Sequence, residues 1–285
     1  MIQVAKTIAE IRKYVAQAHA AGKTVGFVPT MGALHAGHAS LIQTAARRCD
    51  YVVVSIFVNP TQFCPGEDIE KYPRPFEKDA QICERCGAHA IFAPSVGQMY
   101  PRTDLTWVTV EKLTEPLCGQ SRPGHFRGVT TVCAKLFNIV GADVAFFGQK
   151  DAQQATVIRR MVADLNMPLE IVVCPTVREP DGLAMSSRNQ YLSPQERSQA
   201  PVIYRALKHC DELIQGGQRD AARIAEEMNR VLSQAPDLRP EYIGIVDAEN
   251  LEPCDPIRGR ILVAVAARLG STRLIDNIVV DTTAQ

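Results

Sequence analysis

Thr24-Val-Gly-Phe-Val-Pro-Thr-Met-Gly-Ala-Leu-His-Ala-Gly-His38, followed thirteen residues later by Tyr51-Val-Val-Val-Ser-Ile-Phe-Val58, decides the fold. Thr24–Val28 has the β-branched and aromatic content of a short buried strand. Pro29–Gly37 is a glycine-bearing loop, and His38–Arg48 carries apolar residues at helical spacing. Tyr51–Val58 is continuously apolar, as a strand of a parallel sheet covered on both faces must be. Strand, loop, helix and strand within about forty residues make a βαβ unit. The loop joins a strand to a helix N-terminus, where backbone N–H groups and the helix dipole favour an anion. Gly32 and Gly37 let the backbone approach a phosphate, and His35 and His38, three apart, can face one ligand.

The alternation extends outward from this unit. Thr7-x-x-Glu10 is a capping box opening a helix that Gly22 stops. Downstream, Phe76–Cys86, Val129–Val140 and Asp151–Leu165 read as helices, and Ala90–Ala93, Val144–Phe147 and Glu170–Val173 as strands. The pattern predicts an α/β fold, a Rossmann-like doubly wound parallel sheet, over residues 1–179. Ligands then bind beyond the carboxyl ends of its strands. Glu179-Pro-Asp-Gly182 is a turn, and the pattern changes after it. Ser193-Pro-Gln-Glu196 caps a helix running to Gly216-Gly217, and a second helix spans Asp220–Gln234. With strands at Tyr242–Val246, Ile261–Ala267 and Arg273–Ile275, residues 180–285 are expected to form a smaller C-terminal α+β domain.

Composition narrows the function classes. With 31 basic and 31 acidic residues the formal net charge is zero, so neither nucleic acid nor a membrane surface is an expected partner. The apolar runs are too short to span a bilayer, and the N-terminus lacks a signal-peptide pattern. Nine scattered cysteines fit reduced thiols in a reducing compartment, and the expected location is cytoplasmic. Cys83-x-x-Cys86 has no second pair and reads as helix packing rather than zinc; Cys64 is a candidate reactive thiol.

Two histidines three apart also admit a metal site or a chemically idle helix entry. Gly32-x4-Gly37 imitates a phosphate-cradling loop, but His38-Ala39 stand where Lys-Ser or Lys-Thr is needed. The dinucleotide pattern Gly-x-Gly-x-x-Gly is absent as well, which disfavours kinases and dehydrogenases. His35-Ala-Gly-His38 resembles the signature of the nucleotidyltransferase superfamily that includes cytidylyltransferases and class I aminoacyl-tRNA synthetases. Within that superfamily the longer string Pro29–His38 is similar to the pantoate–β-alanine ligases.

The resemblance covers four further stretches and most of the chain. It implies that Met31, Gly32, Ala33, Leu34, His35, Ala36, Gly37 and His38 contact ATP, with His38 catalytic. Gln62, in Val58-Asn-Pro-Thr-Gln-Phe63, is implied to hold pantoate and to border the β-alanine site; an amide suits a hydroxy acid because it both donates and accepts. Arg122 and His125, in Ser121-Arg-Pro-Gly-His-Phe-Arg-Gly128, are secondary candidates. Gly148, Gln149, Lys150 and Asp151 are implied ATP contacts and Gln154 a pantoate contact. Lys150 can neutralise phosphate charge, and Asp151 can hold Mg²⁺ through one carboxylate. Many family members carry Glu where this chain has Gln149. Val177 and Met185-Ser-Ser-Arg188 match a nucleotide-contacting position and a second phosphate loop, with Arg188 a planar fork of donors.

The resemblance implies ATP-dependent condensation of pantoate with β-alanine through a pantoyl-adenylate, with Mg²⁺, in a homodimer. Pantoate is already ionised at neutral pH, so its attack on the α-phosphorus needs no base. His38 is expected to donate a proton or stabilise phosphate. Two alternatives are another nucleotidyltransferase of this type acting on a different small acceptor, and a nucleotide sensor without turnover.

Overall fold

The computed structural model describes residues 2–282. Met1, where the signal-peptide reading begins, and the last three residues of the expected second domain lie outside that range.

Six strands form one all-parallel sheet: β1 (Gln3–Ala5), β2 (Val25–Thr30), β3 (Tyr51–Ile56), β4 (Ala90–Phe92), β5 (Val144–Gly148) and β6 (Glu170–Cys174). Their spatial order is β1-β4-β3-β2-β5-β6. From β2 the chain first builds outward through β3 and β4, then returns to place β5 on the other side of β2. The switch point therefore lies at β2, and a crevice opens beyond its carboxyl end. That end carries Met31–His38, and the neighbouring end of β5 carries Gln149–Asp151. The two loops that matter most to the sequence argument are thus neighbours because of strand order.

Alternation along the strands feeds two buried layers. Phe27, Val53, Phe92 and Phe147 face α1 (Ile8–Ala20) and α6 (His125–Val140), while Val28, Val52, Val54 and Phe146 share the other layer with α2 (Ala36–Arg48) and α3 (Phe76–Arg85). Short helices α4 (Val96–Met99) and α5 (Cys118–Ser121) precede α6, and α7 (Ala152–Asp164) follows β5. The capping box at Thr7 and Glu10 forms as the sequence predicts, as does the one at Ser193 and Glu196.

The chain continues as α8 (Pro194–Gln199), α9 (Val202–Gln215) and α10 (Ala221–Leu232), then an antiparallel sheet of β7 (Leu238–Asp247), β8 (Arg260–Leu269) and β9 (Thr272–Asp281). On β8, Ile261, Val263, Val265 and Ala267 share a core with α9 and α10, whereas Leu262 and Ala264 belong to the layer under α1 and α6. β8 is buried on both faces, which ties the two sheets together. Among the described residues no helix is long and apolar enough to cross a membrane.

Several expectations are corrected. β1 was not anticipated, since three residues give too little pattern to read. The helix expected from Ser193 to Gly216 is two helices, because Pro201 has no N–H to continue α8. α6 starts at His125 rather than Val129, so the polar loop ends inside its first turn. β9 is far longer than Arg273–Ile275: its polar residues Asp276 and Asn277 are buried and paired rather than strand-ending. All nine cysteines are free; Cys49, Cys83, Cys118, Cys133, Cys174 and Cys210 are buried, and Cys64, Cys86 and Cys254 are half-buried.

Candidate active site

β2 delivers Met31–His35 to the switch point, and His35 is the N-cap of α2. The His35 Nδ1 accepts the Gly37 N–H at 3.1 Å, and the His38 Nδ1 accepts the His35 N–H at 3.3 Å. The two histidines replace the hydroxyl and carboxylate of an ordinary capping box. Because each Nδ1 receives a backbone N–H, each neutral ring must carry its proton on Nε2. The rings lie 4.2 Å apart. Burial and the nearby Lys150 lower the His35 pKa to about 4; burial and His35 lower that of His38 to about 3. At neutral pH both are uncharged hydrogen-bond donors. A Cβ at Gly37 would sit 2.9 Å from the His35 ring, so the cap itself requires glycine there.

The row of free loop N–H groups expected from the sequence is largely engaged within the protein. Gly32 donates to Thr30 Oγ1, and Ala33 and Leu34 donate to the two oxygens of Asp79, each at 2.8 Å. Gly32, Ala33 and Leu34 are buried and turned toward Asp79, and Ala36 is exposed. From this loop it is Met31, His35, Gly37 and His38 that border the cavity.

Gln62 ends a 3₁₀ turn, Pro60–Gln62, after β3. The Asn59 Nδ2 donates to Gln62 Oε1 at 3.0 Å and to the Gly128 carbonyl at 3.2 Å, while Asn59 Oδ1 accepts the Tyr100 hydroxyl at 2.7 Å. Asn59 is only 1% exposed, a buried hub where the sequence alone indicated a turn. A Cβ at Gly128 would fall 2.2 Å from the Thr61 carbonyl oxygen, so α6 can support this turn only through a glycine. His125 pairs with the Gln62 carbonyl through Nδ1 at 2.7 Å and with Arg122 Nη1 through Nε2 at 2.8 Å. Arginine can only donate, so Nε2 is the acceptor and Nδ1–H donates to the carbonyl. Burial and Arg122 hold the His125 pKa near 4. Both of its nitrogens are committed to holding the Gln62 turn. Arg122 also donates to both oxygens of Glu67, at 2.6 and 2.7 Å.

At the end of β5, Asp151 occupies the N-cap position of α7 without a capping bond, and Lys150 Nζ is 3.8 Å from its Oδ1. Gly148, Lys150, Asp151 and Gln154 border the cavity. The Gln149 side chain instead donates to Asn277 Oδ1 at 3.0 Å, while Asn277 Nδ2 donates to the Gln149 and Lys150 carbonyls. A glutamine fits here because Asn277 offers only its carbonyl oxygen.

The second loop is carried by the Glu179–Gly182 turn, which Arg178 clamps. Arg178 pairs with Asp276 on β9, donates to the Gly182 carbonyl and lies 3.8 Å over the Tyr204 ring. Burial pushes the Asp276 carboxyl up against the pull of Arg178. Met185 N–H donates to the Val177 carbonyl, and Ser186 caps a 3₁₀ turn, Ser187–Tyr191. Arg188 does not project freely: its Nε and Nη2 donate to Asp68 at 3.1 and 3.0 Å. Thr176 lines the cavity, and its Oγ1 is buried without a partner in the protein.

These elements enclose a cavity of about 240 Å³ bordered by His35, His38, Gln62, Lys150, Asp151, Gln154, Val177, Met185, Ser186, Ser187 and Arg188. It shares Lys150, Asp151, Gln154, Ser186 and Arg188 with a cleft of about 860 Å³ beneath β8 and β9. Neutral donors, two cations and two amides on one cavity suit an anionic ligand with a polar small-molecule neighbour. The Cys64 thiol is pushed up by burial and by Glu67, contrary to the reactive role considered for it. Cys83 packs in the core of α3, as helix packing predicts. Among the described residues no three metal-ligating side chains gather, and Asp151 is the one carboxylate among them that borders this cavity.

A parallel sheet with its switch point at β2, a His-x-Gly-His cap there and the Lys150 loop facing it make a doubly wound α/β protein of the kind that the resemblance to nucleotidyltransferases implies. The family model for pantoate-beta-alanine ligase matches residues 3–279. The pantothenate synthetase of Thermotoga petrophila is 55% identical over 278 residues, 98% of this chain and 99% of its own. The crystal structure of pantothenate synthetase from Thermus thermophilus shares 46% identity and a TM-score of 0.92, covering 97% of this chain and 99% of that one. The Francisella tularensis pantoate-beta-alanine ligase, solved with a β,γ-ATP compound and β-alanine, is 33% identical with a TM-score of 0.79, covering 100% and 99%. The chain belongs to the pantoate–β-alanine ligase family.

Proposed function

We propose that the chain condenses pantoate with β-alanine, consuming ATP and releasing AMP and pyrophosphate through a pantoyl-adenylate. The observation that carries this reading is one cavity bordered at once by the neutral His35–His38 pair, Lys150, Arg188 and the amides of Gln62 and Gln154. The Francisella relative binds an ATP compound and β-alanine, which supports both as substrates here. A different acceptor is not favoured, because the whole-length relatives are of one activity.

In the first step a pantoate carboxylate oxygen bonds to the α-phosphorus and the bond to pyrophosphate breaks. Gln62 and Gln154 hold pantoate, and Gln62 borders β-alanine. Met31, His35, Gly37, His38, Gly148, Lys150, Val177 and Met185–Arg188 contact the nucleotide. His38 contributes as a neutral Nε2–H donor to oxygens that gain charge in the transition state, an electrostatic role rather than delivery of a proton. In the second step the β-alanine nitrogen bonds to the acyl carbon, the acyl–phosphate C–O bond breaks, AMP leaves and the amine proton passes to solvent. Asp151 would hold Mg²⁺ together with phosphate oxygens, neutralising charge on the polyphosphate; a single carboxylate donor fits that cation's usual reliance on substrate oxygens.

The same reading takes residues 180–285 as a unit closing over ATP, a homodimer testable by sedimentation, and a cytoplasmic location consistent with nine free thiols. The deciding experiment is pyrophosphate exchange into ATP with pantoate present and β-alanine absent. Pantoate-dependent exchange is the expected result. Its absence, with folded protein and Mg²⁺ supplied, would sink the adenylate route.

A further inference from the structure

Asp79, on α3, is a carboxylate that borders neither cavity. It is 1% exposed, and the cations near it do not include a salt-bridge partner among the described residues. Burial raises its pKa against the pull of its two backbone donors. Such a group is costly inside a protein unless its hydrogen bonds are needed. Its bonds are the Ala33 and Leu34 N–H groups, one to each oxygen, both at 2.8 Å.

Those two residues lie immediately before the histidine cap. Gly32 has φ of 84° and Ala33 a φ of 52°, a left-handed pair in which alanine is unfavourable. A residue held there needs its surroundings to fix it. Asp79 supplies that restraint from outside the loop. Leu34 then leads directly into His35, whose N–H fixes His38 and whose Nδ1 is fixed by Gly37. The chain of contacts runs from Asp79 to both Nε2–H donors without a gap.

We infer that Asp79 is a positioning residue for the adenylation step: its carboxylate locks the Gly32–Leu34 turn so that His35 and His38 present Nε2–H to the nucleotide. The inference rests on the proposed ligase reading for its kinetic arm only. Asp79→Asn tests it, because an amide can accept from one of the two N–H groups but sets its own NH₂ against the other.

The variant is expected to lose about tenfold or more in the turnover of pantoate-dependent pyrophosphate exchange, with a smaller change in the KM for ATP. In a His38→Ala background the same change is expected to cost less than it does in the wild type, since part of its effect runs through His38. Independently of activity, ¹⁵N spectra of the wild type should show His35 and His38 as Nε2–H tautomers, and Asp79→Asn should perturb both. Unchanged imidazole signals and normal exchange in folded Asp79→Asn would overturn the inference, as would fully multiplicative losses with His38→Ala. If Asp79→Asn does not fold, Asp79→Glu decides. It keeps the charge but moves the oxygens by a methylene, so reduced exchange in folded protein supports the inference and normal exchange overturns it. Absence of exchange in the wild type would instead count against the ligase reading, leaving the spectra to judge Asp79.

Discussion

His38 illustrates how a residue legible in sequence acquires its role only from its surroundings. Its spacing from His35 marks the loop, but the ring's tautomer follows from a single backbone N–H. His38→Ala should lower exchange turnover by at least about 10²-fold, as loss of a preorganised transition-state donor does. Near-normal turnover with an intact fold would remove His38 from the mechanism. The same burial has a consequence for stability. His35, His38 and His125 have folded pKa values of about 4, 3 and 4, below the ordinary 6.5. Between about pH 6.5 and 4 the unfolded chain binds protons that the folded chain refuses, so unfolding becomes easier as pH falls. The urea midpoint should therefore drop from pH 7 to pH 5, and less so in a His38→Gln variant. Asp79 and Asn59 were not legible, because their meaning lies in backbone groups brought to them by a distant element. No spacing rule connects residue 79 with residues 33 and 34.

At the scale of elements, the sequence discloses strands and helices where period and caps agree, as at Thr7-x-x-Glu10 and Tyr51–Ile56. It misleads where polar residues sit inside a strand. Asp276 and Asn277 look like the end of a strand, yet β9 continues through them because Arg178 and the Gln149–Lys150 backbone satisfy them. These two residues bind the middle of β9 to both the Glu179–Gly182 turn and the β5 exit. Arg178→Ala would leave the Asp276 carboxylate, 4% exposed, without its cation. The expected loss is about 3–5 kcal/mol of unfolding free energy, measured by denaturant titration. Arg178→Ala with unchanged stability would mean that water reaches Asp276. Gln149 belongs to this junction and not to the cavity wall, so its amide serves to hold Lys150 in place from the far side.

For the whole molecule, the loop from Cys64 to Lys71 spans the site as a strap held by two arginines. Glu67 is held by Arg122 and Asp68 by Arg188, each through two hydrogen bonds. Arg188 is also a proposed contact of the polyphosphate, and Asp68 already occupies its Nε and Nη2 donors. Any turn of the guanidinium toward phosphate is made at the expense of these bonds, and only the difference between the two contacts appears as affinity. Asp68→Asn should lower the dissociation constant for ATP roughly threefold to tenfold, consistent with a partly exposed pair worth about 1 kcal/mol. An unchanged constant, measured by calorimetry, would show that Arg188 keeps Asp68 when ATP is bound.

The distribution of thiols gives the molecule a set of internal tags. Cys49, Cys83 and Cys174 lie in the layer under α2, Cys118 and Cys133 in the layer under α1 and α6, and Cys210 in the core of the C-terminal sheet. Each buried mass thus carries its own alkylation site, while Cys64, Cys86 and Cys254 stand nearer the solvent. A reagent adding a fixed mass per sulfur would label the outer sites first. The order in which the remaining adducts arrive, mapped by peptide, would then recount which part of the protein comes apart before the others.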